Sequence, residues 1–124
     1  MLLGIKRIYE KAEVTDGKRI LVDGLWPRGV RRSTANIDKW VKEVAPSKEL
    51  RQWFSHDPAK WKSFESKYKK ELESNKTLDS LVELAIKEDI TLVYGSKDTE
   101  RNNAVVLEEV LKERIDEIAN KGGG

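Results

Sequence analysis

The chain of 124 residues contains no cysteine and a single histidine. The lack of cysteine excludes a disulfide framework, a thiolate zinc site and a cysteine nucleophile. One histidine excludes a histidine-rich metal centre. A magnesium ion carried by a phosphate would have to use carboxylates such as Asp23, Asp57 and Asp98, but Asp57 and Asp98 also have a simpler interpretation as helix caps. We therefore predict that the protein requires no metal and no other cofactor.

Long apolar runs are also missing. The longest stretch without Asp, Glu, Lys or Arg is the seven-residue segment Ile90–Ser96, whereas a membrane-spanning helix needs about 20 apolar residues. The first residues lack the apolar run and the small-residue cleavage site of a signal peptide. We therefore expect a cytoplasmic protein that has no membrane partner.

A large excess of one sign of charge is missing as well. Lys and Arg number 24 against 22 Asp and Glu, and the formal net charge is +2 although charged residues make up 37% of the chain. Residues 1–35 hold eight of the basic and four of the acidic residues. A net charge this small does not imply nucleic-acid binding by itself, so any such function depends on a local basic cluster.

The apolar pattern predicts three strands and five helices in one domain. Strands are expected over Ile5–Tyr9, from Ile20 toward Leu25, and over Ile90–Tyr94, because these runs are apolar and rich in β-branched residues. Helical spacing of apolar residues predicts a helix over 37–44, a helix over 48–54 capped by Ser47, a helix over 61–72 begun by Asp57-Pro58, a helix over 78–85 capped by Thr77, and a helix over 104–118 capped by Asp98 or Thr99.

This order of elements predicts an α/β fold. We expect residues 1–121 to form a small single layer of about three strands, at least partly parallel, packed with about five helices, and residues 122–124 to form a flexible glycine tail. The helices between the second and third strands favour a right-handed parallel crossover. About ten residues link the first two strands, which is short for a crossover. That pair is therefore either antiparallel or joined by a tight irregular turn.

Two polar segments, residues 23–32 and 95–103, follow the second and third strands. Ligands of open α/β sheets collect beyond the carboxyl ends of strands, so these loops meet in a site if their strands are parallel neighbours. The first loop offers Trp26, Arg28 and Gly29, and a guanidinium binds phosphate or carboxylate with paired hydrogen bonds. The second opens a helix whose free N–H groups favour an anion, and it carries the candidate ligand-binding residues Lys97, Asp98 and Asn102, together with Asn103.

Asp23 and His56 are the candidate acid–base residues. Asp23 lies late in a buried-looking strand, and a buried carboxylate needs a partner. It either forms an ion pair with Arg28 or Lys97, or acts as a general base. His56 is a possible proton donor or acceptor near neutral pH, or it only covers the start of a helix.

Of the other cations and aromatic residues, only Arg51 is a candidate for binding. It is a further cation that could hold an anion. We interpret Arg31 and Arg32 as solvated surface charges, and Trp53 and Phe54 as core residues rather than a platform for stacking bases.

Short motifs spread from about Ile5 to Leu111 give the chain a resemblance to a family. The matching runs are Leu21-Val22-Asp23, Leu25-Trp26-Pro27-Arg28-Gly29, Ala45-Pro46-Ser47, Glu49-Leu50-Arg51, Trp53-Phe54, His56-Asp57-Pro58 with Trp61, Thr91-Leu92, Tyr94, Lys97-Asp98, and Asn102, Ala104, Val106 and Leu107. In these motifs the chain resembles the bacterial and archaeal family called domain of unknown function 488, in its short YeaO-like branch. The resemblance implies a compact α/β domain with clustered signature loops.

The chain departs from this family in three ways. Longer relatives carry a Cys–His pair near the last strand-to-helix turn, and thiol chemistry cannot transfer to a chain without cysteine. Family members often have arginine in place of Gly24, so the chain lacks one cation there. They often have histidine in place of Asn103, so it also lacks a possible acid–base group.

Three functional hypotheses follow. The first is a domain or enzyme that binds a small anion, such as a phosphorylated metabolite or nucleotide. In it Arg28, Arg51 and Lys97 hold the anion, Trp26 walls the site, and Asp23 or His56 handles protons. The second is a nucleic-acid-binding module that uses the Arg28–Arg32 cluster, with Trp26 for stacking. The third is a protein-interaction domain, which would show a large exposed apolar patch.

Overall fold

The computed structural model describes residues 2–122 and shows an α/β fold. The strands of this part of the chain are β1 (Leu3–Arg7), β2 (Lys18–Leu21), β3 (Lys39–Trp40) and β4 (Ile90–Tyr94), and the helices are α1 (Lys48–Phe54), α2 (Trp61–Glu73), α3 (Lys76–Lys87) and α4 (Asn103–Gly122). Single turns of 3-10 helix cover Val14–Asp16, Lys42–Val44 and Pro58–Lys60. Within these residues, no helix combines the length and the apolar composition that a membrane crossing requires.

The strands form one parallel sheet in the order β1-β4-β2-β3. Leu92 of β4 lies opposite Ile5 of β1 on one side and Ile20 of β2 on the other. The first two strands of the sequence are therefore parallel and are separated by β4, so an antiparallel pairing of them is wrong. The link between them is an irregular segment that passes β4 to reach β2. The Thr91 hydroxyl of β4 donates to the carbonyl of Asp16 in this segment at 2.7 Å.

The two faces of the sheet are covered differently. Alternate strand residues point to opposite faces, and one face carries Ile20, Ile90 and Leu92 into the main apolar core with the buried residues of all four helices. The other face carries Leu21 and Val93 into a smaller core that contains no buried helix residue among those described. Loops cover this second face of the sheet.

The predicted helix over residues 37–44 is wrong. Residues 39–40 form β3, which extends the sheet beyond β2, and a 3-10 turn follows at Lys42–Val44. Val41 and Val44 pack in the main core, while Ile37 and Trp40 pack in the smaller one. The apolar residues that have helical spacing thus face two different cores, and the hydrogen bonds to the open edge of β2 decide the conformation.

Local capping residues place most helix starts. The Ser47 hydroxyl accepts from the Leu50 N–H at 3.1 Å and caps α1 as predicted. Asp57 accepts from the Ala59 N–H at 3.0 Å, but it caps the 3-10 turn Pro58–Lys60 that leads into α2 rather than α2 itself. Helix α3 is capped by Asn75 rather than Thr77, since the Asn75 side chain accepts from the Leu78 N–H.

The two ends of the long last helix also differ from the prediction. Asn102 caps α4 by accepting from the Val105 N–H at 3.0 Å, and neither Asp98 nor Thr99 does so. The helix continues to Gly122, the first residue of the predicted glycine tail. The remainder of that tail, residues 123–124, lies outside the described residues.

Candidate functional site

The loops after β2 and β4 meet, because these two strands are parallel neighbours. Between the loops and α1 lies a cleft of about 800 Å³, a volume in the range of small-molecule sites. Eight of the nine residues predicted for the site line this cleft, and Gly29 does not. The eight are Asp23, Trp26, Arg28, Arg51, His56, Lys97, Asp98 and Asn102.

Asp23 connects the structural elements around the cleft. Its Oδ2 accepts from the Gly95 N–H at 2.8 Å, and its Oδ1 accepts from the Asn103 Nδ2 at 3.1 Å. The same Nδ2 also donates to the Val22 carbonyl at 3.1 Å. The carboxylate therefore joins the end of β2 to the end of β4 and to the first turn of α4.

The expected ion pair of Asp23 is not formed. None of the ion pairs within 4 Å between residues 2–122 includes Asp23, and neither Arg28 nor Lys97 bonds to it. Burial raises the pKa of Asp23, while the Gly95 N–H, the Asn103 amide and the positive charge of Arg51 lower it. The pKa of this carboxyl therefore lies above its ordinary value, because its partners compensate burial only in part.

Arg51 is a partly buried cation whose hydrogen bonding is incomplete. Its Nε is buried and has no hydrogen-bond acceptor among the described residues. Its guanidinium occupies the space beside Gly24, where an added Cβ would lie 2.8 Å from Nη1 and 3.0 Å from Cζ. A side chain at position 24 would therefore displace the Arg51 guanidinium from its place in this structure. This contact could not be predicted from the sequence, because residues 24 and 51 are brought together only by the fold.

Contacts with Val30, Trp40 and Arg32 hold the side chain of Trp26 in place. Its Nε1 donates to the Val30 carbonyl at 2.7 Å, and its ring meets Trp40 edge-on with centroids 5.5 Å apart. The Arg32 guanidinium lies 4.9 Å from the Trp26 centroid and 5.2 Å from that of Trp40. Arg32 is exposed, as expected of a surface charge, but both tryptophans hold it, whereas Arg31 lies exposed outside the cleft lining.

The second loop is shaped by Asp98. Its Oδ1 accepts from the backbone N–H groups of Glu100 and Arg101 at 2.9 and 3.0 Å. Its Oδ2 accepts from Arg101 Nη1 at 3.1 Å. The two backbone bonds are the largest of the effects that lower the pKa of Asp98. Asp98 therefore folds the loop rather than capping α4, and the exposed Lys97 is left at the cleft rim.

The floor of the cleft is aromatic. Phe54 and Phe64, both buried, stack with ring centroids 4.3 Å apart. His56 is exposed above them, with a centroid 6.2 Å from that of Phe54 and a left-handed backbone φ of 57°. The prediction of a core position is right for Phe54 and wrong for Trp53, which is 38% exposed and lies beneath the ammonium of Lys60.

Residues 2–122 contain no group of three or more His, Asp or Glu side chains that is placed to hold a metal ion. Two further groups bind Asp23, the Gly95 N–H and the Asn103 amide, and neither is among the site residues predicted from the sequence. The one sequence feature that points to Asn103 is its place in the helix-opening segment, which the prediction turns toward the ligand.

Comparisons with known proteins match nearly the whole chain to one family. A family model with the description "Inactive DUF488-N3 subclade" matches residues 2–123. The uncharacterized protein YeaO of Escherichia coli strain K12 is 40% identical over 113 residues, which cover 90% of this chain and 98% of YeaO. The uncharacterized protein Rv3073c of Mycobacterium tuberculosis is 38% identical over 110 residues, which cover 89% of this chain and 93% of that protein. No solved structure matches the chain.

Proposed function

Because the chain belongs to the DUF488 family, in a subclade described as inactive, we propose that it binds a small anion in the cleft and does not transform it. The anion is a phosphorylated metabolite or nucleotide. The loops after β2 and β4 form the site, and its cations are Arg51 inside the cleft and Arg28 and Lys97 on the two loops.

The observation that carries this proposal is the incomplete bonding of Arg51. A buried N–H group without an acceptor costs about 1–3 kcal/mol, so a fold gains nothing from holding it there. Arg51 lines the cleft, so an acceptor atom of a ligand bound there would bond to its guanidinium, all of whose N–H groups are donors. Arg51 is therefore better explained by binding than by stability.

The surroundings of Asp23 support binding without catalysis. Its two hydrogen-bond donors are a backbone N–H and the Asn103 amide, and neither group ionises near neutral pH. These partners orient the carboxylate, but neither can relay a proton from it as a titratable neighbour would. The resemblance to the wider family places a histidine at position 103, and the amide in its place agrees with the description of the subclade as inactive.

The cluster at residues 28–32 supports a small ligand over a nucleic acid. Arg32 covers the rings of Trp26 and Trp40, and Trp26 also contacts Trp40 edge-on. Its ring is therefore engaged by the protein, whereas a base-stacking platform needs an open aromatic face.

Thermal unfolding with added ligands tests the proposal. The ligands are inorganic phosphate, ribose 5-phosphate, nucleoside monophosphates and a short oligonucleotide, each at low and high salt. At about 100 times its Kd, a ligand of the native state adds about 2.7 kcal/mol to stability. We expect a shift in Tm with at least one phosphorylated small molecule that persists at high salt.

Three variants make the test specific to the cleft. Arg51→Met keeps the unbranched stem but removes the guanidinium, and Arg28→Ala removes a cation at the rim. Arg31→Ala is the matched control, because Arg31 is exposed on the same loop as Arg28 but does not line the cleft. We expect Arg51→Met to abolish the shift and Arg31→Ala to retain it. An unchanged shift in Arg51→Met, or a shift with the oligonucleotide alone that vanishes at high salt, would overturn the proposal.

A further inference from the structure

The cleft is lined by both a hydrogen-bond acceptor, Asp23, and a donor, Arg51, and a ligand that meets both needs more than a negative charge. The Asp23 carboxylate lines the cleft and accepts one hydrogen bond at each oxygen, from Gly95 and Asn103. An ionised carboxylate has about four acceptor sites. Its remaining sites therefore call for donors, and the lining of the cleft by Asp23 makes them available to a ligand.

The Arg51 guanidinium is the complementary group. Its buried Nε requires an acceptor that the described part of the chain does not supply. Gly24 makes its position possible, since a Cβ at residue 24 would collide with Nη1. The charge of Arg51 lowers the pKa of Asp23, so the two groups act on one another electrostatically, although no ion pair within 4 Å between residues 2–122 joins them.

A bare phosphate does not suit this interior. An anion that approaches Arg51 also approaches the like charge of Asp23, and burial strengthens that repulsion. A neutral group that offers an acceptor to Arg51 and a donor to Asp23 satisfies both residues without adding charge. The aromatic floor of Phe54 and Phe64 favours a flat group at this position.

The charges at the rim suit the phosphate instead. Arg28 and Lys97 are exposed on opposite loops and both line the cleft. Neither takes part in an ion pair between residues 2–122. A ligand with a flat polar head and a phosphate would therefore place its head inside and its charge at the mouth.

We propose that the ligand is a nucleoside monophosphate, whose base places a hydrogen-bond donor on Asp23 and the adjacent acceptor on Arg51 while its phosphate lies between Arg28 and Lys97. Every nucleobase carries a donor beside an acceptor on its pairing edge. This proposal rests on the proposed function and adds the chemical class of the ligand and its orientation.

Calorimetric titration of the wild-type protein with ribose 5-phosphate and the four ribonucleoside monophosphates provides the first test. The tightest-binding nucleotide is then compared with an analogue whose pairing edge has no N–H donor, because each exocyclic amine there is dimethylated and each ring N–H is methylated. We expect that nucleotide to bind at least about tenfold more tightly than either comparator, since a donor and acceptor left unpaired on burial cost about this much.

Two variants separate the ends of the ligand. We expect Asp23→Asn to remove most of the preference for the nucleotide over ribose 5-phosphate without weakening ribose 5-phosphate, because the like charge is gone. We expect Arg28→Ala to weaken both ligands by a similar factor. The methylated analogue tests the same contact in the unaltered protein, so the inference does not depend on a variant that folds.

The outcomes distinguish the two proposals. If neither ribose 5-phosphate nor any nucleotide binds, the proposed function itself fails. If ribose 5-phosphate binds as tightly as every nucleotide, or if the methylated analogue binds as tightly as its parent, the proposed function stands and the orientation of a base on Asp23 is overturned.

Discussion

Two aspartates lie at equal distances from the ends of β2, and they have opposite environments. Asp16 lies two residues before the strand and accepts from Lys6 Nζ at 2.8 Å and Arg19 Nη1 at 2.7 Å. Asp23 lies two residues after the strand and accepts from a backbone N–H and an amide, without an ion pair within 4 Å. We refer to Asp16, Lys6 and Arg19 as the amino-end cluster, and to Asp23 and Arg51 as the carboxyl-end pair.

The pKa shifts of the two aspartates follow from these environments. Burial raises the pKa of Asp16, but hydrogen bonds from Lys6, the Glu13 N–H and Arg19 outweigh it, and the pKa lies below its ordinary value. Burial also raises the pKa of Asp23, and its weaker partners leave the pKa above the ordinary value. Of two aspartates that flank the same strand, one is therefore stabilised as a carboxylate and the other is destabilised.

The two arginines show the same contrast. Arg19 is buried and donates from Nε to the Asn36 carbonyl at 2.9 Å, in addition to its ion pair with Asp16. Arg51 has a buried Nε without an acceptor among the described residues. The amino-end cluster satisfies its own polar groups, and Arg19 also holds the loop at Ala35 and Asn36. The carboxyl-end pair leaves polar groups unsatisfied, which is the property expected of a binding site.

The largest contrast is expected when each aspartate is removed. Asp16→Ala leaves the buried Arg19 guanidinium without its partner, and breaking a buried ion pair in this way costs about 3 kcal/mol. Asp23→Ala removes two hydrogen bonds but also a carboxylate that burial disfavours, so we expect a loss of about 1 kcal/mol or less. Urea unfolding of both variants measures the difference, and equal losses would show that the two ends of β2 do not differ in this way.

Two glycines sharpen the comparison. Gly17 has φ +64°, and a Cβ there would lie 2.3 Å from the Asp89 carbonyl oxygen, which belongs to the backbone. We expect Gly17→Ala to lose about 2 kcal/mol of stability, because the left-handed φ is strained for alanine and its Cβ would collide with the Asp89 backbone.

At Gly24, the nearest atoms to an added Cβ belong to the end of the Arg51 side chain. Gly24→Ala is therefore expected to cost little stability and to weaken ligand binding. A Gly24→Ala variant that binds as wild type would contradict the placement of Arg51.

The pH dependence of stability should have opposite signs at the two ends. The folded-state pKa of Asp16 is lowered, so its contribution is present above the ordinary value of 3.8 and is lost as the pH falls below it. The folded-state pKa of Asp23 is raised, so its contribution is present below 3.8 and is lost as the pH rises through the raised value.

Asparagine variants at each position measure these contributions. Relative to wild type, we expect Asp16→Asn to become less stable as the pH rises from acid toward neutral and Asp23→Asn to become more stable over the same interval. Unfolding free energies of the three proteins at a series of pH values provide the measurement. Two differences that change in the same direction would contradict the contrast between the aspartates.

The smallest expected effect is on stability when Arg51 is replaced. Arg51→Met removes an unsatisfied buried N–H and keeps an unbranched apolar stem, so we expect stability to stay the same or to rise by about 0.5–1 kcal/mol. Arg19→Met serves as the matched control and is expected to be strongly destabilised, because it leaves Asp16 with fewer partners. A loss of stability in Arg51→Met as large as that of the control would assign Arg51 to the fold rather than to the site.

Several parts of the fold and the cleft could be predicted from local sequence. β4 follows from its short apolar run, and the caps at Ser47 and Asp57 follow from residue types that bond to their own neighbours. The apolar residues at positions 37, 40, 41 and 44 gave a wrong prediction because they divide between two cores. Helical spacing records that residues are buried but not which layer buries them.

What the sequence by itself determined is local: the α/β class, four of the helices, and two polar loops that follow apolar strands. What only the tertiary structure decided is how distant residues combine. The position of β4 between β1 and β2 brings the loops together. The fold also places Arg51 against Gly24 and leaves Asp23 with unused acceptor sites. The hydrogen bonding of such partly buried charges depends on groups that are far away in the chain.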